Sequence, residues 1–204
     1  FNQRIIKEKR EVKSVDFDEE LNVVVVRTVD ETPYEINSKK KIRTSGCALG
    51  TVFGNLMDEI DEIKLSPREI KVSILYDLAR KINTTPSLYL ETGAIHGTVL
   101  CDYSGPLVYM EDVGRHNAVD KISGWMLNND VVGEDKILYT TGRLTSEMVI
   151  KAAIMGIPIL LSRSGFTAWG VEIAKSVGLT MVGRLRGERF LCLTGSKNLI
   201  FDEK

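Results

Sequence analysis

Cysteine and histidine are scarce in this chain of 204 residues: Cys47, Cys101 and Cys192 are its cysteines, His96 and His116 its histidines. The cysteines stand far apart, which gives neither a disulfide framework nor a zinc-ligand spacing. A reducing cytoplasm is their simplest home. Excess charge is lacking too. A net charge of −1 excludes a globally basic nucleic-acid binder, so any anion site is a local cluster. No apolar run approaches the ~20 residues that span a bilayer, and no signal-peptide core is present. We therefore expect a cytoplasmic protein with neither a membrane nor a nucleic-acid partner. The first residue is Phe1, not Met, and we expect a segment to precede it. Internal repeats and low-complexity tracts are absent. What is present is ordinary for a globular chain with a real core, 43% hydrophobic and 27% charged.

Val12–Phe17 and Leu21–Val29 read as strands joined by the acidic turn Asp18-Glu19-Glu20. A basic stretch from Asn37 to Thr44 leads into Ser45-Gly46-Cys47-Ala48-Leu49-Gly50, whose small residues predict an exposed loop. Ser66, Pro67 and Glu69 spell N-cap, N1 and N3 of a helix with a capping box. Leu65 and Ile70 could form its hydrophobic staple, and Ile70, Ile74, Leu78 and Ile82 recur at helical spacing. Strands are expected at 95–100, 107–110, 137–141, 158–162 and 180–184, with helices at 117–127, 146–155 and 167–177. That alternation predicts an α/β fold with right-handed crossovers and a run of parallel strands.

Open α/β sheets bind ligands at the carboxyl ends of their strands. Here those ends carry Thr141-Gly142-Arg143, Ser162-Arg163-Ser164-Gly165 and Gly183-Arg184-Leu185-Arg186-Gly187-Glu188-Arg189. Glycine lets backbone amides approach an anion, and arginine grips phosphate in a fork. A phosphate-bearing ligand fits this pattern better than arginines scattered over a surface. The segment Glu111-Asp112-Val113-Gly114-Arg115-His116-Asn117 sets two cationic residues at a helix entrance, against the macrodipole. Either an acidic ligand or Glu111 and Asp112 themselves would be their partners. His96, just before Gly97, is expected at the same edge. Cys47 follows Lys39, Lys40, Lys41 and Arg43, whose charge favours the reactive thiolate. Cys101 and Cys192 lie in apolar strand-like runs and are expected to be buried and inert.

Five segments, in order over nearly the whole chain, resemble the FdhD family. They are Thr44-Ser-Gly-Cys-Ala-Leu-Gly, Thr92-Gly-Ala-Ile-His-Gly, Glu111-Asp-Val-Gly-Arg-His-Asn-Ala-Val-Asp-Lys, Gly142-Arg-Leu-Thr-Ser-Glu-Met-Val-Ile-Lys-Ala and Val182-Gly-Arg-Leu-Arg-Gly-Glu-Arg. The third is the most specific. The resemblance implies a cytidine-deaminase-like three-layer domain over 51–204, with a smaller β-rich part over 1–50, assembled as a homodimer. It implies a sulfur carrier that takes persulfide sulfur from a cysteine desulfurase. The sulfur passes to the molybdenum or tungsten bis-guanine-dinucleotide cofactor of formate dehydrogenase, which a guanine nucleotide would mimic. Cys47 then falls in the sulfur-carrying loop, and the cofactor-binding segment falls on Arg184, Leu185, Arg186, Gly187, Glu188 and Arg189. Arg143, Arg115, His116 and His96 would assist. One departure stands out. The family's loop usually holds Cys-x-x-Cys; here Cys47 falls beside the first position and Leu49 occupies the second.

Two other functions compete. Hydrolytic deamination needs zinc on His/Cys/Cys with a glutamate, in H-x-E and P-C-x-x-C contexts. His96-Gly97-Thr98 lacks that glutamate and the helix after Arg143 lacks cysteine, so no zinc or other metal site is expected. A chaperone that binds the cofactor without covalent chemistry is the alternative the single loop cysteine keeps open.

Overall fold

The computed structural model describes residues 6, 8–30, 41–43, 51–53, 60 and 62–202. Val12–Asp18 (β1) and Val23–Thr28 (β2) form an antiparallel ribbon. Asp18 accepts from the Leu21 amide at 2.9 Å, and Asn22 takes the left-handed φ of 52° that closes the reversal. Val15, Phe17, Val24 and Val26 line one exposed face of the ribbon, since Val15 pairs with Val26 and Phe17 with Val24. Lys41–Arg43 (β3) and Thr51–Phe53 (β4) pair antiparallel. The elements that follow are Ile70–Lys71 (β5), Val72–Thr84 (α1), Leu88–Thr92 (α2), His96–Cys101 (β6), Pro106–Asp112 (β7) and Arg115–Asn128 (α3). Then come Ile137–Thr140 (β8), Ser146–Ile154 (α4), Ile159–Ser162 (β9), Ala168–Val177 (α5), Thr180–Arg186 (β10), Arg189–Thr194 (β11) and Leu199–Ile200 (β12).

Six strands make the central sheet in the order β11-β10-β9-β8-β6-β7. The expected parallel run is β8-β9-β10. Around it, β6, β7 and β11 pair antiparallel with their neighbours. β8 and β9 are buried on both faces, as continuous apolar runs without polar alternation require. In register, Leu100, Leu138, Leu160 and Met181 form one row. That row packs under Val119 and Ile122 of α3, Met148 and Val149 of α4, and Ala174 and Val177 of α5. Val99, Tyr139, Leu161 and Val182 form the adjacent row on the other face, under Leu75, Leu78 and Ile82 of α1. Three layers result: one helix, the sheet, three helices. Among the described residues no helix is long and apolar enough to cross a membrane.

The helix expected from Ser66 starts instead at Val72, with Lys71 as its N-cap. Tertiary pairing overrides the local capping signal. Ile70 and Lys71 are drawn into parallel pairing with Leu199 and Ile200. Leu65 donates to Val177 O at 2.8 Å and packs with the three-helix layer, while Ile70 is buried under α1. The two residues of the expected staple thus lie on opposite faces of the sheet. The cap comes from far along the chain: Asp202 accepts from the Ser73 amide at 3.1 Å and from Ser73 Oγ at 2.7 Å. The buried stripe becomes Val72, Leu75, Leu78, Ala79 and Ile82, with Ile74 only half-buried.

Hydrogen bonding from the Ser73 side chain holds the Asp202 carboxyl below the usual carboxylate range. A depressed carboxyl stabilises the fold above its unfolded pKa and loses that contribution as pH falls through its folded pKa. Asp202→Asn is therefore expected to melt below the wild type at neutral pH and to converge with it in acid, as thermal melts across pH would read. Gly133 gives a second test, because a Cβ there would stand 2.1 Å from the Met155 carbonyl oxygen, a backbone atom with no rotamer to yield. Gly133→Ala is expected to cost more than about 2 kcal/mol in chemical denaturation.

Candidate functional site

Each of the short strands β8 and β9 ends in a hydroxyl residue. In register, the row that follows Leu100-Leu138-Leu160 on the three-helix face is Thr98-Thr140-Ser162, and all three are buried. Buried hydroxyls must find partners, and here they lock the loops leaving the sheet. Thr140 Oγ1 accepts from the Gly142 amide at 3.1 Å, and the Gly97 amide donates to Thr141 Oγ1 at 3.0 Å. Ser162 Oγ donates to Gly142 O at 2.7 Å and accepts from the Ser164 amide at 2.9 Å. The Leu144 amide reaches Gly165 O at 2.9 Å, and the Arg184 amide reaches Ser164 O at 2.9 Å. One chain of bonds thus ties β6, the β8–α4 loop, the β9–α5 loop and β10 together. Sequence reading missed this row, although a Thr or Ser closing each of two fully apolar runs was its signal.

The third arginine-rich segment differs from expectation. It is not a loop leading into a helix: β10 runs on to Arg186 and turns through Gly187 and Glu188 into β11. Gly187 supplies the positive φ of 55° that the tight turn needs. Arg184 also sits at a φ of 52°, unusual for a side chain with a Cβ. It is the extra residue of a bulge, for Val182 and Leu185 bury on the same face and the pairing shifts between Gly183 and Arg186. The bulge throws Arg184 outward. Arg186 and Arg189 stand opposite each other in register. Like charges so placed repel, and neither they nor Arg184 meets an acid among the described residues. Leu185 is buried, and Gly187 and Glu188 are exposed at the turn.

His96, Arg115, His116 and Arg143 gather at the other end of the same edge. Burial first, then the charges of Arg115, His116 and Arg143, push the His96 pKa down. The imidazole is therefore neutral at neutral pH, with Nδ1 3.4 Å from Thr141 Oγ1. Arg115 and His116 open α3, as expected, behind Gly114 at the N-cap. Their partners are not the neighbouring acids. Glu111 accepts from the Leu88 and Tyr89 amides at 3.0 and 2.7 Å and so caps α2. Asp112 pairs with Lys121 at 2.8 Å and accepts from Asn117 at 3.0 Å. His116 Nε2 instead faces Glu147 Oε2 at 2.6 Å, and Lys151 meets Asp120 at 2.5 Å one turn further along both helices. Among the described residues, Arg115 Nε and Nη2 are buried without a hydrogen-bond partner.

The cations of the edge therefore form two groups. From β10 to β6 is three strand spacings, each about 4.8 Å, so the hairpin and the His96 group stand roughly 14 Å apart. Arg163, between them, is committed to structure. It donates to Asn83 Oδ1 at 3.1 Å, lies 5.4 Å over the Tyr89 ring, and its carbonyl accepts from Arg186 Nε at 3.2 Å. As for thiols, burial drives Cys101 up to about 12, while Cys192 is only half-buried and raised by the same cause. Cys47 lies outside the described residues.

The chain's likeness to known proteins follows the same segments. The model of the FdhD/NarQ family matches residues 1–200. A protein of Wolinella succinogenes named sulfur carrier protein FdhD is 32% identical over 197 residues, covering 96% of this chain and 68% of the relative. One of the same name from Bacillus subtilis is 31% identical over 93% of this chain and 73% of its own length. A crystal structure from Desulfotalea psychrophila, assigned as a formate dehydrogenase accessory protein, superposes with a TM-score of 0.75 at 29% identity. It covers 98% of this chain, which spans 76% of it. On a family match that runs almost end to end, the chain belongs to the FdhD/NarQ family.

Proposed function

We propose that the chain is a sulfur carrier for the maturation of formate dehydrogenase, and that it binds the cofactor receiving the sulfur by its phosphates. The observation that carries this reading is the β10–β11 hairpin. Arg186 and Arg189 face each other across it, and Arg184 is thrown out beside them by a left-handed bulge. Holding like charges together costs free energy that an anion between them returns. Backbone strain of this kind persists where surrounding structure over-determines it, which suits a ligand clamp. The cargo is the molybdenum or tungsten bis-guanine-dinucleotide cofactor, and a guanine nucleotide stands in for it.

Cys47 carries the sulfur. The two described thiols are unsuited, one buried with its pKa pushed to about 12 and the other raised in the same direction, whereas Cys47 follows four basic residues in sequence. Its thiolate attacks the outer sulfur of a cysteine desulfurase persulfide. The S–S bond breaks and the desulfurase thiolate leaves, so sulfur moves without net oxidation or reduction. The three layers are consistent with a deaminase-like domain, and a cytoplasmic location goes with the sulfur-carrier reading. The exposed apolar face of β1 and β2 supports assembly with a second copy. Leu49, in the family's second cysteine position, favours one competing reading, a chaperone that binds the cofactor without covalent chemistry.

Intact-mass spectrometry after incubation with an active desulfurase and cysteine separates the two. The expected result is a gain of one sulfur atom that disappears in Cys47→Ala; no gain would favour the chaperone. The hairpin is tested by GDP titration. Arg186→Ala combined with Arg189→Ala is expected to weaken binding by at least about tenfold without lowering Tm.

A further inference from the structure

The β1–β2 ribbon stands apart from the three layers, its two strands packing chiefly on each other. Its foot is tied down by Lys9, which donates to Asn128 O at 2.8 Å, and by the Val29 amide on Glu11 O at 2.9 Å. A two-stranded ribbon is marginal in water unless its apolar face packs on something. One face is satisfied within the ribbon, where Asp16 accepts from Ser14 Oγ at 2.9 Å and pairs with Arg27. The other is not. Val15, Phe17, Val24 and Val26 are 62%, 59%, 57% and 48% exposed, and they stand together as two cross-strand pairs. Single exposed apolar residues are ordinary, but a contiguous patch marks an interface. The ribbon's charges say what covers it. Both cations between Val12 and Thr28, Lys13 and Arg27, lie in the half nearer the foot, whereas the tip is Asp18-Glu19-Glu20. Below them Arg10 pairs with Glu8 and Lys9 with Asp130, while Lys13, Glu19 and Glu20 have no ion pair among the described residues. A surface that is apolar in the middle, positive at one end and negative at the other complements a copy of itself laid antiparallel. Laid parallel, two acidic tips would meet and repel.

We propose that two copies of this chain pack ribbon on ribbon across a two-fold axis, antiparallel, with each acidic tip against Lys13 and Arg27 of the other copy. Every contact then occurs twice, and two ribbons marginal alone gain a shared core between their faces. One side of a standard interface buries about 800 Å². Val15, Phe17, Val24 and Val26 supply its dry centre, and the charged ends supply its rim. This interface rests on the second-copy assembly already proposed and gives it a place and a direction; it does not depend on sulfur transfer.

Sedimentation velocity of the full chain over a micromolar concentration series tests the interface. The wild type is expected to sediment as a dimer. Phe17→Asp combined with Val24→Asp is expected to weaken the dimer by at least about a hundredfold, with unchanged circular dichroism. Lys13→Glu and Glu19→Lys are each expected to weaken it by at least about threefold at low salt, and by less at high salt. The two swaps combined in one chain are expected to restore wild-type affinity. Lys13 and Glu19 stand at opposite ends of one strand, roughly 20 Å apart, so restoration arises only between copies. A monomeric wild type, or a dimer that survives Phe17→Asp with Val24→Asp, overturns the interface. So does a combined swap that restores nothing, the result tip-to-tip packing would give. Absence of sulfur gain at Cys47 in an intact dimer counts against the proposed function and leaves the interface standing.

Discussion

Everything at the sheet edge depends on β8 and β9 being buried on both faces. Strands of four residues so enclosed have no solvent to satisfy the polar groups where they end. The structure answers with Thr98, Thr140 and Ser162 in one register row, and their hydroxyls dictate where the following loops run. The β8–α4 loop is fastened to β6 on one side and to the β9–α5 loop on the other, and that loop in turn holds the bulge at Arg184. A site built on such fastened loops is rigid before any ligand arrives, which lowers the ordering cost of binding.

The same economy governs charge. Where α3 and α4 pack, His116 faces Glu147 and Asp120 faces Lys151, a ladder of opposite charges at successive turns. Pairs of this kind bring little net stability once desolvation is counted, but they fix the rotation of one helix on the other. That rotation sets where Arg115 stands at the head of α3. Against that pattern of pairing, among the described residues two buried nitrogens of Arg115 and the hydroxyls of Ser123, Tyr139 and Thr145 lack a hydrogen-bond partner, and Arg186 and Arg189 sit opposite each other in register. Departures from local consistency concentrate at functional places.

The sequence was readable wherever periodicity and tertiary structure agreed. The apolar runs at β8 and β9, the helices after them and the Arg115-His116 helix entrance all lie close to where pattern placed them. The helix at Ser66 was misread because its capping signal is local, whereas Ile70 and Lys71 are recruited by a partner near residue 200 that no short window contains. The hairpin at Gly187 was missed for a similar reason: the run ending at Arg184 looked finished, but a left-handed residue let the strand bulge and continue. Family resemblance reached the same arginines by another route. It could not reveal that they fall into two groups, since that separation comes from strand order.

The tie between Ser73 and Asp202 has a consequence in time as well as in space. Together with β5–β12 pairing, it joins residues 129 positions apart in sequence. Helix α1, which packs on one face of the sheet, cannot be sealed at its leading end until the segment around Leu199–Asp202 has been synthesised. During translation that face, with Val99, Tyr139, Leu161 and Val182, is guarded by a helix still loose at one end. Long-range closure of this sort slows folding and leaves apolar surface open to other chains. The nascent protein is thus most in need of chaperone cover just before its closing strand emerges from the ribosome.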